Sequence, residues 1–404
     1  MTDLTALENI GRLFTATDAG AVDRAAVVFD HDAIRWVGAD NARPPSSIVE
    51  RIGATIDAHG ALVTPGLIDA HCHPVYGAPR LDELAVRTAG VGYAEIAAAG
   101  GGIRRTVNET RALDSAILTS VVIERLAAFL ANGTTTLEAK TGYHLTIEGE
   151  LRAVDLLHGL RGRDDLPDLS VTFLAAHDVP PEYAGRRADW VAEVAASCVD
   201  AARRGADSCD VFVDEGFFTI EEARTILQSA SAVGLAIRPH ADELARTGGA
   251  KLAAQLNAAS ADHLLRLDEA GAVAMAKAGT VATLCPLTAM AMKRALPLDL
   301  LRGAGCAIGL GSDHNPGQTG VTSMATVIWA ATTMGMAVSD ALVAATDGSA
   351  RSLGLLDRGR IEVGGRPDLV AWPVDHEGGF AWDPALPATL VIKAGRELST
   401  FPAG

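Results

Sequence analysis

The sequence has few cysteines, and their positions exclude the folds and sites that depend on paired thiols. Its five cysteines, Cys72, Cys198, Cys209, Cys285 and Cys306, are scattered over 404 residues and form no CxxC pair. An odd, dispersed set argues against a disulfide framework and against a thiolate zinc site. A reducing compartment is the simpler expectation, and we predict a cytoplasmic protein.

Long apolar segments and an excess of positive charge are also missing. No run approaches the roughly 18 apolar residues of a membrane helix. The N-terminus lacks the basic region and apolar stretch of a signal peptide, so none is expected. The chain has 34 Lys and Arg against 50 Asp and Glu, a net charge of -16. This charge would repel nucleic acid and anionic membranes, and we expect neither as a partner.

The chain is rich in apolar residues, which make up 49% of it and suffice for a large core. Its length suggests two or three domains, although an α/β barrel can exceed 250 residues as one unit. Both ends read as short strands broken by turns. We predict that residues 1–66 and 361–404 meet as one small β-sandwich domain, with residues 67–360 forming a second domain between them.

The middle region alternates between short apolar segments and Ala- and Leu-rich helical stretches. This alternation indicates an α/β fold with a parallel sheet, and eight repeats indicate a closed (β/α)8 TIM-type barrel. An open doubly wound sheet is the alternative, but no GxGxxG motif follows the first strand. The eight segments are LIDAHCH, TTTLEAK, VTFLAAHD, DVFVDEG, AIRPHADE, ASADHL, TVATLCP and AIGLGSDHN.

Histidines recur at the ends of these predicted strands. A barrel gathers the carboxyl ends of its strands on one face, where active sites of this fold lie. Six of the eleven histidines stand at or just past such ends: His71, His73, His177, His240, His263 and His314. Each could separately be a satisfied loop or core histidine, but their equivalent positions favour one shared site.

The spacing of His71 and His73 predicts a metal site. Alternate side chains of an extended segment share a face, so both imidazoles can reach one cation. His240 ends the fifth predicted strand and Asp313 the eighth, although Asp313 could instead cap its turn. Three imidazoles and a carboxylate suit Zn²⁺ or Fe²⁺ better than Mg²⁺ or Ca²⁺. A bound cation of this kind lowers the pKa of its water to roughly 7.

One metal ion is expected rather than two. Two-metal barrels usually need a bridging ligand, often a modified lysine at the end of the fourth strand. Here that strand ends with Asp214 and Glu215, and Lys140 ends the second strand instead. Lys140 is either structural or directed at the substrate.

Several longer motifs resemble the imidazolonepropionase family of the metal-dependent amidohydrolase superfamily. The resemblance runs from about residue 60 to about residue 370. The matching stretches are HxHPVYGAPRxxE (71–83), YAEIAAAGGGI (93–103), TGYHL (141–145), LAAHDVPPEYAG (174–185), HADEL (240–244), SADHL (260–264) and SDHNPG (312–317). The HxH motif and a distant aspartate are common to the superfamily, whereas AAGGGI and the Asn-Pro-Gly turn are more specific. The resemblance implies opening of the cyclic amide of 4-imidazolone-5-propionate to N-formimidoyl-L-glutamate, a step of histidine degradation, by a metal-activated water.

The resemblance also assigns roles to individual residues. It implies that His71, His73, His240 and Asp313 bind the metal, with Asp313 also accepting a proton from the water. Glu243 would be the acid and base at the ring nitrogen, although it could be a helix-start carboxylate. His177 and His263 would polarise the ring carbonyl or bridge water and substrate.

The substrate's carboxylate has its own implied partners. Arg80, Tyr93 and Tyr143 would hold it, and Asn315 and Gly317 would line the pocket. Arg80 could instead form a surface ion pair with Asp82 or Glu83, and the tyrosines could simply pack. The resemblance further suggests a homodimer.

Some positions depart from the family pattern. Cys72 stands where Thr is usual, and His144 and His314 occupy places without an assigned role. These departures keep other readings open: a hydrolase of a hydantoin-, thiohydantoin- or imidazole-type carboxylate, or a deaminase of a cyclic amidine. A non-catalytic binding protein on the same barrel would have lost a metal ligand or Glu243, and neither is lost.

Overall fold

The strands of the chain fall into two sheets. The computed structural model describes residues 3–39, 41–90 and 101–398. The strands are β1 (Leu4–Phe14), β2 (Ala21–Phe29), β3 (Ile34–Ala39), β4 (Ile52–Asp57), β5 (Leu62–Pro65), β6 (Leu67–Asp69), β7 (Thr134–Lys140), β8 (Asp168–Ala176), β9 (Ser208–Val213), β10 (Ala236–Ile237), β11 (His240–Ala241), β12 (Ser260–His263), β13 (Val281–Leu284), β14 (Ile308–Leu310), β15 (Leu369–Trp372), β16 (Leu390–Lys393) and β17 (Arg396–Leu398).

Helices follow most strands of the middle region. The described helices are α1 (Ser46–Val49), α2 (Leu81–Thr88), α3 (Ile103–Ala112), α4 (Ser115–Ala131), α5 (Ile147–Gly159), α6 (Arg187–Arg203), α7 (Ile220–Ala232), α8 (Gly249–Gln255), α9 (Glu269–Ala278), α10 (Pro286–Ala291), α11 (Leu298–Ala304), α12 (Met324–Thr333), α13 (Val338–Val343), α14 (Ser349–Ser352) and α15 (Gly379–Trp382). A 3₁₀ turn covers Pro181–Tyr183, and a π-helical turn covers Ala344–Gly348. Among the residues described, no helix is both long and apolar enough to cross a bilayer.

The second sheet is a parallel barrel, as the sequence predicts. Its strands neighbour each other in chain order from β6 to β14. The first and last strands also meet, because the Ala70 N–H donates to the Leu310 carbonyl at 3.1 Å and the Asp313 N–H to the His71 carbonyl at 2.9 Å. All eight predicted segments contribute strands to it. The α/β barrel expectation is confirmed.

The fifth position of the barrel is divided into two short strands. β10 pairs with β9, and β11 pairs with both β9 and β12. Pro239 lies between them and has no N–H to donate to the ladder. The ladder continues on either side, since the Arg238 N–H donates to the Cys209 carbonyl and the Pro239 carbonyl accepts from Asp262. Arg238 and His240 are two residues apart and therefore share the inward face.

The first sheet joins the two ends of the chain. β5 pairs antiparallel with β15, and β15 continues through β16 to β17. On the other side, β1 pairs in parallel with β4 along its first half and with β5 along its second. Leu7, Val27 and Ile392 belong to one buried cluster of this sheet. Strands from both ends thus share a core, while the exact domain bounds stay a prediction.

Local sequence explains where the barrel helices start and stop. Thr219 and Glu222 form a reciprocal capping box at the start of α7. Asp268 accepts from the Gly271 N–H at the start of α9, which ends at Gly279 with φ +72°. Only glycine adopts this left-handed conformation without cost. The strand that follows α9 can therefore turn back at once toward the barrel.

Candidate metal centre and substrate cavity

Three histidines and an aspartate meet at the carboxyl ends of the barrel strands. One ring nitrogen from each of His71, His73 and His240 lies within 4.8 Å of the others. The Nε2 atoms of His71 and His73 are 3.1 Å apart. Asp313 Oδ1 lies 3.7 Å from the first and 3.6 Å from the second. Four side chains, one in β11 and the others just past the ends of β6 and β14, thus face one small volume.

The hydrogen bonds of these histidines fit a cation among them. His71 Nδ1–H donates to Asp262 at 2.7 Å, and His240 Nδ1–H donates to Asp210 at 2.7 Å. These bonds leave the Nε2 lone pair of both rings facing the centre. Burial holds the pKa of His71 and His73 well below the ordinary value, so both rings are neutral. His73 Nδ1 is buried with no hydrogen-bond partner in the described chain. The donor set therefore suits a divalent transition metal.

A buried layer of charge lies directly beneath the histidines. Lys140 Nζ is 2.8 Å from Asp210 Oδ2, 3.0 Å from Glu138 Oε1 and 3.3 Å from Asp262 Oδ2. Arg238 Nε donates to the same Glu138 oxygen at 2.8 Å. All five side chains are almost completely buried. Lys140 is therefore in the interior and does not line the substrate cavity.

This layer also shifts the pKa values of its members. Burial alone would raise the pKa of Asp210, but His240 and Lys140 lower it below its usual value. Burial raises the pKa of Asp262 to about 6 despite the lysine nearby. For Lys140, burial acts to lower the pKa, yet the surrounding carboxylates raise it above normal. The ammonium stays charged under all ordinary conditions.

Two site residues have strained backbones. Asp313 has φ +49° and His263 has φ +71°, both in the left-handed region that non-glycine residues rarely adopt. Each follows or ends a short barrel strand. Asn315 stabilises the first by donating its amide to the Asp313 carbonyl at 2.7 Å and to Oδ1 at 3.0 Å. Such strain persists where surrounding contacts fix the chain, and it is common at functional sites.

Glu243 lies beside the histidine cluster in a loop held by other carboxylates. Asp214 accepts from the N–H groups of Glu243, Leu244 and Ala245 at 2.7–2.9 Å. Glu243 Oε1 is 3.8 Å from His263 Nδ1. Burial, and then the charge of Asp313, raise the pKa of Glu243 to about 8. At neutral pH this carboxyl group carries a proton and can donate it.

His177 and His263 differ in the hydrogen bonds available to them. His177 Nδ1–H donates to the Gly142 carbonyl at 3.0 Å, and burial lowers its pKa to about 3. Its Nε2 is therefore an acceptor. Both ring nitrogens of His263 are buried without a hydrogen-bond partner among the described residues. His263 alone of this pair can present an N–H to the cavity.

The loop that carries Tyr143 is fixed by one carboxylate. Glu150, in α5, accepts from the N–H groups of Gly142, His144 and Leu145 at 2.6–2.8 Å. The Tyr143 ring lies 5.1 Å from the His177 ring and lines the cavity. Rigid anchoring of the loop therefore places the tyrosine at the wall of the site.

Arg80 reaches the cavity while keeping a partner in the wall. Its Nε donates to Glu83 at 3.0 Å, and another nitrogen donates to Thr106. The remaining edge of the guanidinium lies against Gly317, where an added Cβ would come within 1.8 Å of Nη2. The suggested ion pair with Glu83 exists, but it is buried and orients Arg80 in the cavity wall.

Arg87 joins the same wall, although sequence patterns did not single it out. It donates to the Gly317 carbonyl at 2.8 Å and to Gln318 Oε1 at 2.9 Å. Asn315 Oδ1 accepts from the N–H groups of Gly317 and Gln318, each at 2.9 Å. The turn after β14 is therefore held at its backbone from both sides.

These side chains enclose one cavity of about 500 Å³. Its lining is His73, Arg80, Arg87, Ile103, Tyr143, His177, Phe212, Phe217, His240, Glu243, Leu244, His263, Met292, Asp313, Asn315, Gly317 and Gln318. A larger groove of about 960 Å³ lies on the first sheet, but its one histidine is the exposed His59. Of these two, the barrel cavity is the one lined by several buried histidines.

The remaining sequence-predicted positions lie elsewhere. Tyr93 and most of its motif fall outside the described residues. His314 is behind the cavity, bonded through Nε2 to the Tyr76 hydroxyl at 2.9 Å, and burial lowers its pKa to about 4. His144 is buried and does not line the cavity. Neither histidine faces the site.

Sequence reasoning missed the carboxylates that support the histidines. Asp210 and Asp262 lie inside strands rather than at the loops, and only their position could have revealed them. Each is a charged residue in a strand whose residues are all buried. Glu138 and Lys140 show the same signal, since they are two residues apart in β7 and share the inward face. Charged pairs at this spacing in a buried strand indicate a polar barrel interior.

A family model, two relatives and a solved structure are similar to this chain over most of its length. A family model described as the amidohydrolase family matches residues 62–398. The chain is 41% identical over 388 residues to an imidazolonepropionase of Cupriavidus necator, covering 94% of this chain and 92% of that protein. It is 40% identical over 394 residues to an imidazolonepropionase of an Anaeromyxobacter species, covering 96% and 93%. A solved triazine hydrolase variant superposes with a TM-score of 0.76 at 18% identity, covering 98% of this chain and 95% of that chain. The last likeness bears on the fold alone.

Proposed function

This chain belongs to the amidohydrolase family and, within it, to the imidazolonepropionases, and from that premise we propose that it hydrolyses 4-imidazolone-5-propionate to N-formimidoyl-L-glutamate. It is a hydrolase of the carbon–nitrogen bond of a cyclic amide. The observation that carries the proposal is the convergence of His71, His73, His240 and Asp313 on the floor of a cavity that also holds Glu243.

The proposal includes one divalent cation, Zn²⁺ or Fe²⁺, held by those three histidines and Asp313. When bound, such a cation supplies Lewis-acid activation of water and of the amide carbonyl. Asp210 and Asp262 support it by accepting the Nδ1–H of His240 and His71, which keeps each Nε2 free. Asp313 keeps one oxygen toward the histidines and is placed to accept a proton.

Arg80 orients the substrate in this proposal. Its guanidinium lies at the cavity wall, and charge-assisted bonds to a carboxylate suit its flat edge. Tyr143 lines the same cavity beside His177 and would bind the carboxylate together with Arg80, while Asn315 and Gly317 shape the wall beside Arg80. The propionate would extend toward Arg80 while the ring lies over the histidines. Tyr93, outside the described residues, remains a proposed partner of the same carboxylate.

Glu243 is the proton donor to the leaving ring nitrogen. Burial raises the pKa of its carboxyl group above the ordinary value, so the group takes up a proton more readily than an exposed glutamate and can deliver it when the carbon–nitrogen bond breaks. Asp214 fixes the loop that carries it. The leaving nitrogen, which becomes part of the formimidoyl group, departs more readily as a neutral group than as an anion, and this donation supplies the necessary proton.

His263 and His177 take separate roles. His263 can present an N–H to the oxygen on which negative charge develops, since it has no other partner in the described chain. His177 donates its one proton to the Gly142 carbonyl, so its Nε2 accepts a hydrogen bond from water or from the substrate ring. The shared role first expected of both is thus divided between them.

Purified protein assayed on enzymatically generated imidazolone propionate, with metal analysis of the same sample, tests the proposal. We expect stoichiometric N-formimidoyl-glutamate and about one metal ion per chain. Release of ammonia or sulfide from other cyclic substrates, without turnover of the imidazolone, would refute it and favour a related amidohydrolase or a deaminase.

The proposal further includes a cytoplasmic homodimer. The five free cysteines support the cytoplasmic location, and the family resemblance supports the homodimer.

A further inference from the structure

We propose that Lys140 is a positioning residue that sets the geometry of the metal site through Asp210 and Asp262. The inference rests on the proposed metal site but concerns a side chain outside it. Lys140 touches neither the cavity nor the ligands' ring nitrogens. Its ammonium lies one layer below, between the two carboxylates that hold His240 and His71.

The contacts form two short chains that meet at one nitrogen. Lys140 Nζ is 2.8 Å from Asp210 Oδ2, and the same oxygen is 2.7 Å from His240 Nδ1. Lys140 Nζ is 3.3 Å from Asp262 Oδ2, and this oxygen is 2.7 Å from His71 Nδ1. In each chain a single oxygen accepts from both the ammonium and an imidazole. The ammonium therefore helps to place both oxygens and, through them, both rings, together with the His240 N–H and the Ser260 hydroxyl, which donate to the other oxygens of Asp210 and Asp262.

Charge makes this arrangement depend on the lysine. Glu138, Asp210 and Asp262 are completely buried, and buried carboxylates without a cation repel one another and lose their solvation. Arg238 neutralises Glu138 from the other side, donating also to the Ala70 carbonyl at 2.7 Å. Lys140 is thus the cation that lies between Asp210 and Asp262. Without it the two carboxylates would repel each other and separate, and the histidines would lose their orientation.

The lysine also occupies a place where a second metal ion could bind. His71, Glu138 and Asp262 present ligand atoms within 4.8 Å of one another. The ammonium lies 3.0 Å from the Glu138 oxygen of this group and 3.3 Å from the Asp262 oxygen. The ammonium therefore already supplies a positive charge at the place where a second metal ion would bind to this group.

The test measures metal binding without substrate. Removing the ammonium alone would make the interior more negative and attract cations, so the first variant combines Lys140→Met with Glu138→Gln and preserves the buried net charge. Metal-free protein is titrated with Zn²⁺ against a chelator. We expect the double variant to bind Zn²⁺ about tenfold or more weakly than the wild type, as for other changes to the groups that orient metal ligands. Affinities within twofold of each other would overturn the proposal.

Lys393→Met is the matched control. Lys393 is also a buried lysine next to an aspartate, but it lies near the start of β8, contacting Asp168 at 3.2 Å. Its loss should change the Zn²⁺ affinity less than twofold even if it lowers stability. An equal loss in both variants would mean that general destabilisation explains the result, and the proposal would fail.

A second measurement does not depend on the charge-balanced variant folding. Co²⁺ bound to Lys140→Met should show a visible absorption spectrum different from that of the wild type, since the spectrum reports the geometry of the ligands. The Lys140→Met change should alter the spectrum less when Asp262→Asn is already present, because both act through the same oxygen. Unchanged spectra in Lys140→Met would overturn the proposal. Wild-type protein that binds neither ion would instead contradict the proposed function itself.

Discussion

Two buried lysines with aspartate partners lie at opposite ends of the barrel, and they serve different purposes. The Lys140 ammonium, at the end of β7, contacts three side-chain carboxylates among the described residues, and two of them hold histidines. Lys393, in β16, donates to the carbonyls of Arg163 and Leu166 at 2.9 and 2.6 Å and contacts Asp168. The first arrangement orients side chains, whereas the second joins backbone segments. The role of each lysine–aspartate pair therefore depends on which groups its partners hold in place.

The surroundings of Asp168 support this difference. Arg358 and Arg366 also contact Asp168, at 2.9 and 2.7 Å, and both belong to the segment that leads to the first sheet. The network thus ties the sheet to the start of the barrel strands. No histidine faces Asp168 among its contacts in the described residues. We call the end near His240 the metal end and the end near Asp168 the sheet end.

The largest expected effect comes from His240→Ala, which should abolish both metal content and turnover. The change removes a ligand and leaves Asp210 without its imidazole partner. Metal analysis and an assay on imidazolone propionate check it, with His59→Ala as the control, since His59 is exposed on the first sheet. Turnover by metal-free His240→Ala would show that the reaction does not depend on a metal ion at the metal end, and the two ends of the barrel would no longer differ in this respect.

Glu243→Gln should lower kcat by about 10²- to 10⁴-fold while leaving the metal in place, because the proton donor is lost. The wild-type rate should fall as pH rises through the pKa of Glu243, about 8 in the metal-free protein and lower beside a bound cation. The acid is effective only below that value. In the glutamine variant this decline should disappear. If the rate of the variant still falls at the same pH, the titration belongs to another group.

Arg80→Ala should raise KM about 10- to 100-fold with little change in kcat, as loss of a charged hydrogen bond costs about 1.5–3 kcal/mol. A matched imidazolone without the propionate should show no such change. The surface variant Arg152→Ala serves as a control, since Arg152 only pairs with Glu148 on the outside of α5. Equal losses for both substrates would show that Arg80 acts on the fold of the wall instead.

The smallest effect on turnover is expected for Lys393→Met. It should lower the free energy of unfolding by about 1–3 kcal/mol, because two carbonyls, of which that of Leu166 is buried, lose their donor. Denaturant unfolding measures this change, and kcat per folded molecule should match the wild type. A fall in kcat with unchanged stability would show that the sheet end influences the chemistry. The roles of Lys140 and Lys393 would then no longer differ as described.

Sequence patterns predicted the parts of this molecule that depend on regular spacing. The eight barrel strands follow from the alternation of apolar segments and helices, and the positions of His71, His73 and His240 follow from where those strands end. The family resemblance added Arg80 and Glu243, which the cavity brings together.

The remaining features depend on contacts between distant strands. The position of Asp210 within a strand indicates a polar barrel interior, but that it supports a histidine is apparent only once His240 is found opposite it. The separate roles of His177 and His263 depend on the Gly142 carbonyl, which only the folded loop places at the ring. The interruption at Pro239 was also not expected, since AIRPHADE reads as one segment. Tertiary contacts, rather than propensity, determine all three.

The close approach of Arg80 to Gly317 constrains how this site can change over evolutionary time. A side chain at position 317 would overlap the guanidinium where it now lies and would push it away from Glu83 and Thr106. Glycine is therefore needed at position 317 for as long as the arginine keeps this position. A lineage adapting to a substrate without a carboxylate would be released from this requirement, because the arginine could then move or be replaced and position 317 could vary.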